Sequence, residues 1–305
     1  MADPQIEIIR SLLASRPRPA ALAERRERLD AFGTRYTVPA DVQIDSEVAN
    51  GVAAEWTITP EADPTRVVMF LHGGAYISGS LVSHRHLVAQ VGREARARTL
   101  ALDYRLAPEH PFPAALEDAV AGYRFLLSRG YEPAHIALAG ESAGGGLALA
   151  ALVSLRDMGV ALPACIWCSS PWTDLEMSGQ TMTTKASVDP LIQKPYLLEA
   201  AAAYLHGADA RTPLASPLYA DLAGLPPMLV QAGTAETLLD DSIRLARQAA
   251  EANVRVTLEA WPDMIHAWTL FYQQLDAGRR SLASAGAFIG SMLNRDSTSL
   301  QSPIV

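Results

Sequence analysis

The sequence predicts an α/β fold, with a mostly parallel sheet and helices on both of its faces. Three observations carry that expectation. Apolar runs of strand length alternate with longer helix-compatible runs through the middle of the chain. Two glycine-containing turns, His72-Gly73-Gly74-Ala75-Tyr76 and Gly140-Glu141-Ser142-Ala143-Gly144, each follow directly on such an apolar run. The chain has 305 residues, 49% of them apolar and 19% charged, values that suit one large globular domain with a substantial core.

The elements follow in order. Residues 4–33 read as two helices, with Ile6, Ile8, Ile9, Leu12 and Leu13 in the first and Ala21 to Leu29 in the second. Pro17 and Pro19 split them, because proline lacks the N–H that an inner helical turn needs. Short strands are expected at Val42–Ile44 and Ala53–Ile58. The alternation then runs as strand 66–71, helix 83–97, strand 99–103, helix 113–128, strand 135–139, helix 143–158 and strand 164–169. After Pro171 and Trp172 the rhythm breaks. Residues 173–218 hold no convincing strand and carry prolines at 190, 195, 213 and 217 among Met177, Met182, Leu191, Tyr196 and Tyr204. The pattern resumes with the strand Met228–Gly233 and the strand-like run Val254–Glu259, and a helix follows His266. No internal repeat is present.

The pentapeptide around Ser142 has the G-x-S-x-G form of a nucleophile elbow. The run His135–Ala139 leads in and a Gly- and Ala-rich run leads out, which is the strand–turn–helix context the motif requires. A serine on so sharp a turn is forced into strained backbone angles that hold its oxygen clear of the sheet. Gly140 and Gly144 let strand and helix approach without side-chain clash. The second turn, His72-Gly73-Gly74, follows the strand Val67–Leu71. Upstream of an elbow, such a loop offers backbone N–H groups to a developing oxyanion, together with the N–H of Ala143.

These two motifs, with Tyr104-Arg105-Leu106-Ala107-Pro108-Glu109-His110-Pro111-Phe112-Pro113-Ala114-Ala115 between them, resemble the hormone-sensitive-lipase-like esterases of bacteria. The resemblance runs from about Val67 to the helix after His266, and more loosely over the N-terminal segment. It implies the α/β-hydrolase fold and a helical cap over the active site. The boundaries are then 1–40 for N-terminal cap helices, 41–172 and 219–293 for the catalytic core, 173–218 for the cap insertion, and 294–305 for a loose polar tail. One position departs from the family's usual H-G-G-G, where Ala75 replaces the third glycine. Alanine still supplies an N–H, so Gly73 and Gly74 are favoured as loop donors, with Ala75 open as a third.

Chain order in this fold places the serine first, an acid next and a histidine last. His266, in the loop after the last strand-like run, alone of the 7 histidines occupies the expected place for the base. His72 belongs to the glycine loop as a structural residue. His84, His86, His110, His135 and His206 read as surface or packing residues. The family's acid loop reads D-P-L-x-D, and its first acid is matched by Glu236. A glutamate can orient and stabilise an imidazolium as an aspartate does. Asp240, at the second acidic position, stays open as the alternative. Glu141 and the Asp103–Glu109 loop read as scaffold, and Asp118 has no assignable chemistry.

The resemblance implies a serine carboxylesterase acting through an acyl-enzyme on small-molecule esters, with acyl chains of roughly two to eight carbons in a pocket of limited length. An amidase, a peptidase or a lipase would use the same triad, and a ligand-binding protein on a dead scaffold would not need all three residues. No cofactor or metal is expected. Cys165 and Cys168 are spaced to lie on opposite faces of a strand, as buried small hydrophobes. The net charge of -8, with no basic block, argues against nucleic acid and anionic membrane as partners. No apolar run reaches the ~20 residues of a bilayer span, and the first residues lack the basic-then-apolar order of a signal peptide. A cytoplasmic enzyme is the expectation, and a homodimer is compatible with it.

Overall fold

A computed structural model describes residues 3–294. The tail expected over 294–305 lies, from Arg295 onward, outside them. The strands are β1 (Gln43–Ala49), β2 (Val52–Ile58), β3 (Asp63–Leu71), β4 (Ala97–Leu102), β5 (Ile136–Glu141), β6 (Cys165–Ser169), β7 (Met228–Gly233) and β8 (Val256–Trp261). They form one sheet in the order β1-β2-β4-β3-β5-β6-β7-β8. The first two pairings are antiparallel and the rest are parallel. The parallel strands are joined by helices, as parallel pairing requires.

The antiparallel edge goes beyond the short strand expected at 42–44. Asn50 and Gly51, both at positive φ, close a two-residue hairpin between β1 and β2. An Asn-Gly pair supplies the backbone that such a turn demands.

Packing explains the apolar runs. Val67 to Leu71 in β3 and Ile136 to Ala139 in β5 are fully buried because both faces of the sheet are covered. One face packs against α4 (Ala114–Ser128), α5 (Ala143–Asp157) and α8 (Leu239–Glu251), through Leu126, Leu147, Leu149 and Leu245. The other packs against α1 (Pro4–Ala14), α3 (Leu81–Ala95) and α9 (Asp276–Leu293), through Ile6, Leu87, Val91 and Ile289. Along β6 the side chains alternate, so Cys168 joins the first core and Cys165 the second.

Three connections leave the C-terminal ends of β3, β5 and β7 on the same side, where ligands bind in open parallel sheets. Side chains of α1, α2 (Leu22–Gly33) and α7 (Lys194–Leu205) line the cleft beside Ser142, and the short α6 (Thr181–Thr184) bonds to Thr237 and Asp240 after β7. Among the described residues, 173–218 contain no strand. Specific ties hold these pieces down. Arg26 on α2 makes paired hydrogen bonds to Glu109, at 2.8 and 2.7 Å, and donates to the carbonyls of Ile77 and Ala107. Tyr204 on α7 stacks on Tyr76, with ring centroids 3.9 Å apart. At the base of the 173–218 segment, Asp241 of α8 accepts from the N–H groups of Thr173 and Asp174, both at 2.9 Å.

Candidate active site

Ser142 stands between β5 and α5 at φ 55°, ψ −121°, the left-handed strain the elbow predicts. Its N–H donates to Ser169 O at 2.9 Å, which pins the turn to β6. The flanking glycines are required by contact. A Cβ on Gly140 would meet the Gly144 carbonyl, and one on Gly144 would meet the carbonyls of Leu71 and His72. The same absence of side chains brings the β3 loop against the start of α5.

His266 and Glu236 meet Ser142 from two other loops. His266 Nε2 lies 2.9 Å from Ser142 Oγ, and its Nδ1 lies 3.0 Å from Glu236 Oε2. An ionised carboxylate only accepts, so Nδ1 carries the proton and Nε2 is left as acceptor for the serine hydroxyl. Glu236 Oε1 accepts from the Gly233 N–H at 3.1 Å. All three residues are buried, at 6% exposure for Ser142, 3% for His266 and none for Glu236.

Two opposing causes set the charge balance. Burial disfavours the imidazolium of His266, but the hydrogen bond and charge of Glu236, with the charges of Glu141 and Asp189, outweigh it and hold the pKa above the ordinary histidine value. Burial raises the pKa of Glu236, and the His266 hydrogen bond works against that rise.

Asp240, the alternative acid, is engaged elsewhere. Its carboxylate accepts from the Thr181 N–H at 3.0 Å and anchors α6. Of the loop amides, Gly74 and Ala75 border the cleft beside Ser142, whereas Gly73 does not. The Gly73 N–H faces inward to His84 Nε2 at 3.3 Å. The expectation for Gly73 is therefore corrected: its amide is turned to the α3 side. Ala75 takes the positive φ of 57° that a third glycine would otherwise adopt. Among the described residues, none accepts a hydrogen bond from the amides of Gly74, Ala75 or Ala143.

Two residues read as scaffold or packing belong to the site. Glu141 places Oε1 3.6 Å from His266 Nε2 and Oε2 3.3 Å from His84 Nε2. Both Glu141 and His84 line the cleft. The x of G-x-S-x-G is ionisable here, which is the one signal the sequence offered. Nothing in sequence spacing brings His84 to it. His72 is structural as expected. It stacks on Tyr104, and burial with the nearby His84 lowers its pKa to about 3, so it is neutral. Asp118 holds Arg105 with paired hydrogen bonds, fixing the start of the Arg105–Pro113 run.

The cleft has a volume of about 560 Å³. Leu13, Leu29 and Phe32 from the N-terminal helices, Leu191 and Ile192 from the 173–218 segment, and Leu270 form its apolar walls. Among the described residues, no cluster of His, Cys, Asp or Glu is placed to hold a metal ion. Cys165 and Cys168 are free thiols, and burial pushes the pKa of each up to about 12. No helix of the described residues is long and apolar enough to cross a membrane.

Residues 68–270 match the model of a family described by the alpha/beta hydrolase fold. The chain is 44% identical to an acetyl-hydrolase of Streptomyces hygroscopicus over 95% of its own length and 97% of that protein. It is 33% identical to an esterase of Acinetobacter venetianus, with 88% of each chain covered. Among solved structures it resembles an esterase from the bacterial hormone-sensitive lipase family, with a TM-score of 0.94 and 44% identity. That match covers 96% of this chain and all of the other.

Proposed function

Because this chain belongs to the hormone-sensitive-lipase-like esterases of the α/β-hydrolase family, and is on that footing a serine hydrolase acting on carboxylic ester bonds, we propose that Ser142, His266 and Glu236 are its catalytic residues. The observation that carries this reading is the unbroken chain from Ser142 Oγ through His266 to Glu236, with links of 2.9 and 3.0 Å.

In this reading Ser142 Oγ attacks the ester carbonyl as its proton passes to His266 Nε2. Glu236 holds the ring and stabilises the imidazolium, while Glu141 presents a second carboxylate to the same ring. The tetrahedral oxyanion rests on the amides of Gly74 and Ala143, with Ala75 as a third donor. Each such donor contributes on the order of 10²–10³ in kcat. His266 then gives its proton to the departing alcohol. Water, deprotonated by the same Nε2, releases the acid and restores the serine.

Residues 1–40 and 173–218 act as the cap, and their apolar wall limits the acyl chain to roughly two to eight carbons. Each buried methylene contributes about 0.8 kcal/mol only while there is room for it. A series of p-nitrophenyl esters, run beside matched amides, tests both points. The reading expects kcat/KM to peak within that range and amides to react far more slowly. A rate still climbing past about twelve carbons, with activation at an oil–water interface, would make the enzyme a lipase. A cytoplasmic location and a homodimer remain part of the proposal, to be decided by cell fractionation and sedimentation.

A further inference from the structure

The mouth of the cleft is basic in an acidic protein. The chain carries a net charge of -8, yet Arg16, Arg18, Arg25 and Arg28 all line the cleft, and among the described residues the one carboxylate in its lining is Glu141 at the catalytic end. We propose that the enzyme's substrates are soluble esters bearing an anionic group, a carboxylate or phosphate, at the end remote from the scissile bond, and that this group is bound by Arg16, Arg18 and Arg28. The proposal rests on the esterase reading and names the substrate class for it.

The hydrogen bonding of Arg16, Arg18 and Arg28 leaves their charge uncancelled. Arg25 is neutralised by Glu199 through two hydrogen bonds, at 2.9 and 3.2 Å. Arg28 donates only to the carbonyls of Pro17 and Arg16. Arg18 lies over the Tyr196 ring, 3.2 Å from its centroid, and donates to the Leu191 carbonyl. The Arg16 guanidinium donates to none of the described residues, and none of Arg16, Arg18 and Arg28 forms an ion pair there. Arg26, Arg85, Arg129 and Arg211 elsewhere on the surface sit on carboxylates, and Arg98, Arg124 and Arg280, unpaired among the described residues, are scattered singly rather than gathered at one cleft. Carbonyl partners fix a guanidinium without cancelling its charge, and its remaining donors suit a carboxylate or phosphate.

The helix sorts its charges in the same sense. On α2, Arg25, Arg28, Leu29 and Phe32 line the cleft, while Glu24 and Glu27 are exposed and do not. Cations at the mouth and a carboxylate at the base also set a direction. An anion is drawn to the rim and repelled from Glu141, so the ester end enters first. An apolar stretch between the two ends fits the walls of Leu13, Leu191 and Ile192.

A matched pair of p-nitrophenyl esters tests this, one with a terminal carboxylate on a six-carbon acyl chain and one with that carboxylate methylated. The anionic ester is expected to have the higher kcat/KM by about tenfold at low ionic strength, as charge steering allows. High salt should erase the advantage, and so should the R16Q/R18Q/R28Q protein, with thermal unfolding as the check on its fold. Turnover of both esters with no preference, or a preference insensitive to salt and to the substitutions, overturns the proposal while leaving the esterase reading standing. Failure to hydrolyse either ester overturns both. Sedimentation with vesicles of anionic phospholipid provides a separate arm. If the arginines are needed for vesicle binding and the soluble pair shows no preference, the rim serves a lipid surface and the proposal fails.

Discussion

The floor and the mouth of the cleft are built from different material. The floor consists of buried groups on turns that leave β3, β5, β7 and β8, where Gly74, Gly144 and Gly233 lie against backbone too closely for a side chain. The mouth consists of half-exposed helices and loops tied on by hydrogen bonds of Arg26, Asp189, Asp240 and Asp241 and by the Tyr76–Tyr204 stack. Reaction chemistry requires fixed geometry within tenths of an ångström, and the strands supply it. Selection among esters requires only shape and charge, which surface segments can change without disturbing the sheet. The contrast predicts that substitutions at the floor reduce turnover steeply, and that those at the mouth change which ester is preferred.

The largest effect is expected at Ser142. Ser142→Ala should lower ester turnover by ~10⁴-fold or more, in a protein whose melting temperature stays close to wild type. Next comes the acid. Glu236→Gln should reduce kcat far more than Asp240→Asn, because of these two acids Glu236 bonds His266 and Asp240 bonds Thr181. The reverse ranking, with both proteins folded, would place the acid role at Asp240.

A smaller effect is expected at Glu141. Its charge helps hold the His266 pKa above the ordinary value, so Glu141→Gln should lower that pKa. His266 then stays unprotonated to lower pH, and the acidic limb of the kcat/KM–pH profile moves downward. Turnover at the plateau should fall by about tenfold, since the imidazolium of the transition state loses a stabiliser. An unmoved limb would make Glu141 scaffold alone.

Asp189 tests the joint between floor and mouth. Its buried carboxylate accepts from the Thr237 N–H at 2.8 Å, beside Glu236, and from the Leu191 and Ile192 amides in the cleft wall. Asp189→Ala leaves those donors without a partner and should lower stability by about 3 kcal/mol in urea unfolding. A loss below about 1 kcal/mol would show that the mouth is held independently of the acid loop.

How much of this was legible in the sequence follows the same division. The strands and the elbow were readable because parallel strands bury continuous apolar runs and because Gly140 and Gly144 have steric reasons to be glycine. His266 and Glu236 came from chain order after the motifs. Sequence spacing does not carry the juxtaposition of Glu141 with His84, which lie 57 residues apart and meet only through the packing of α3 on the sheet. The orientation of the Gly73 amide was hidden for the same reason. Nor did the prolines and apolar residues of 173–218 show that Pro190 to Ile192 would line one cleft with Arg16 and Arg28.

The proposed mechanism requires a single serine to carry the acyl group. An aryl fluorophosphonate that reacts with activated serine hydroxyls tests it most directly, with peptide mass mapping of the inactivated protein. One equivalent should bind, on Ser142, with activity lost in proportion and no labelling of the His266→Ala protein. Full inactivation with the Ser142 peptide unmodified, or a fully modified Ser142 in an enzyme that still turns over esters, would contradict it.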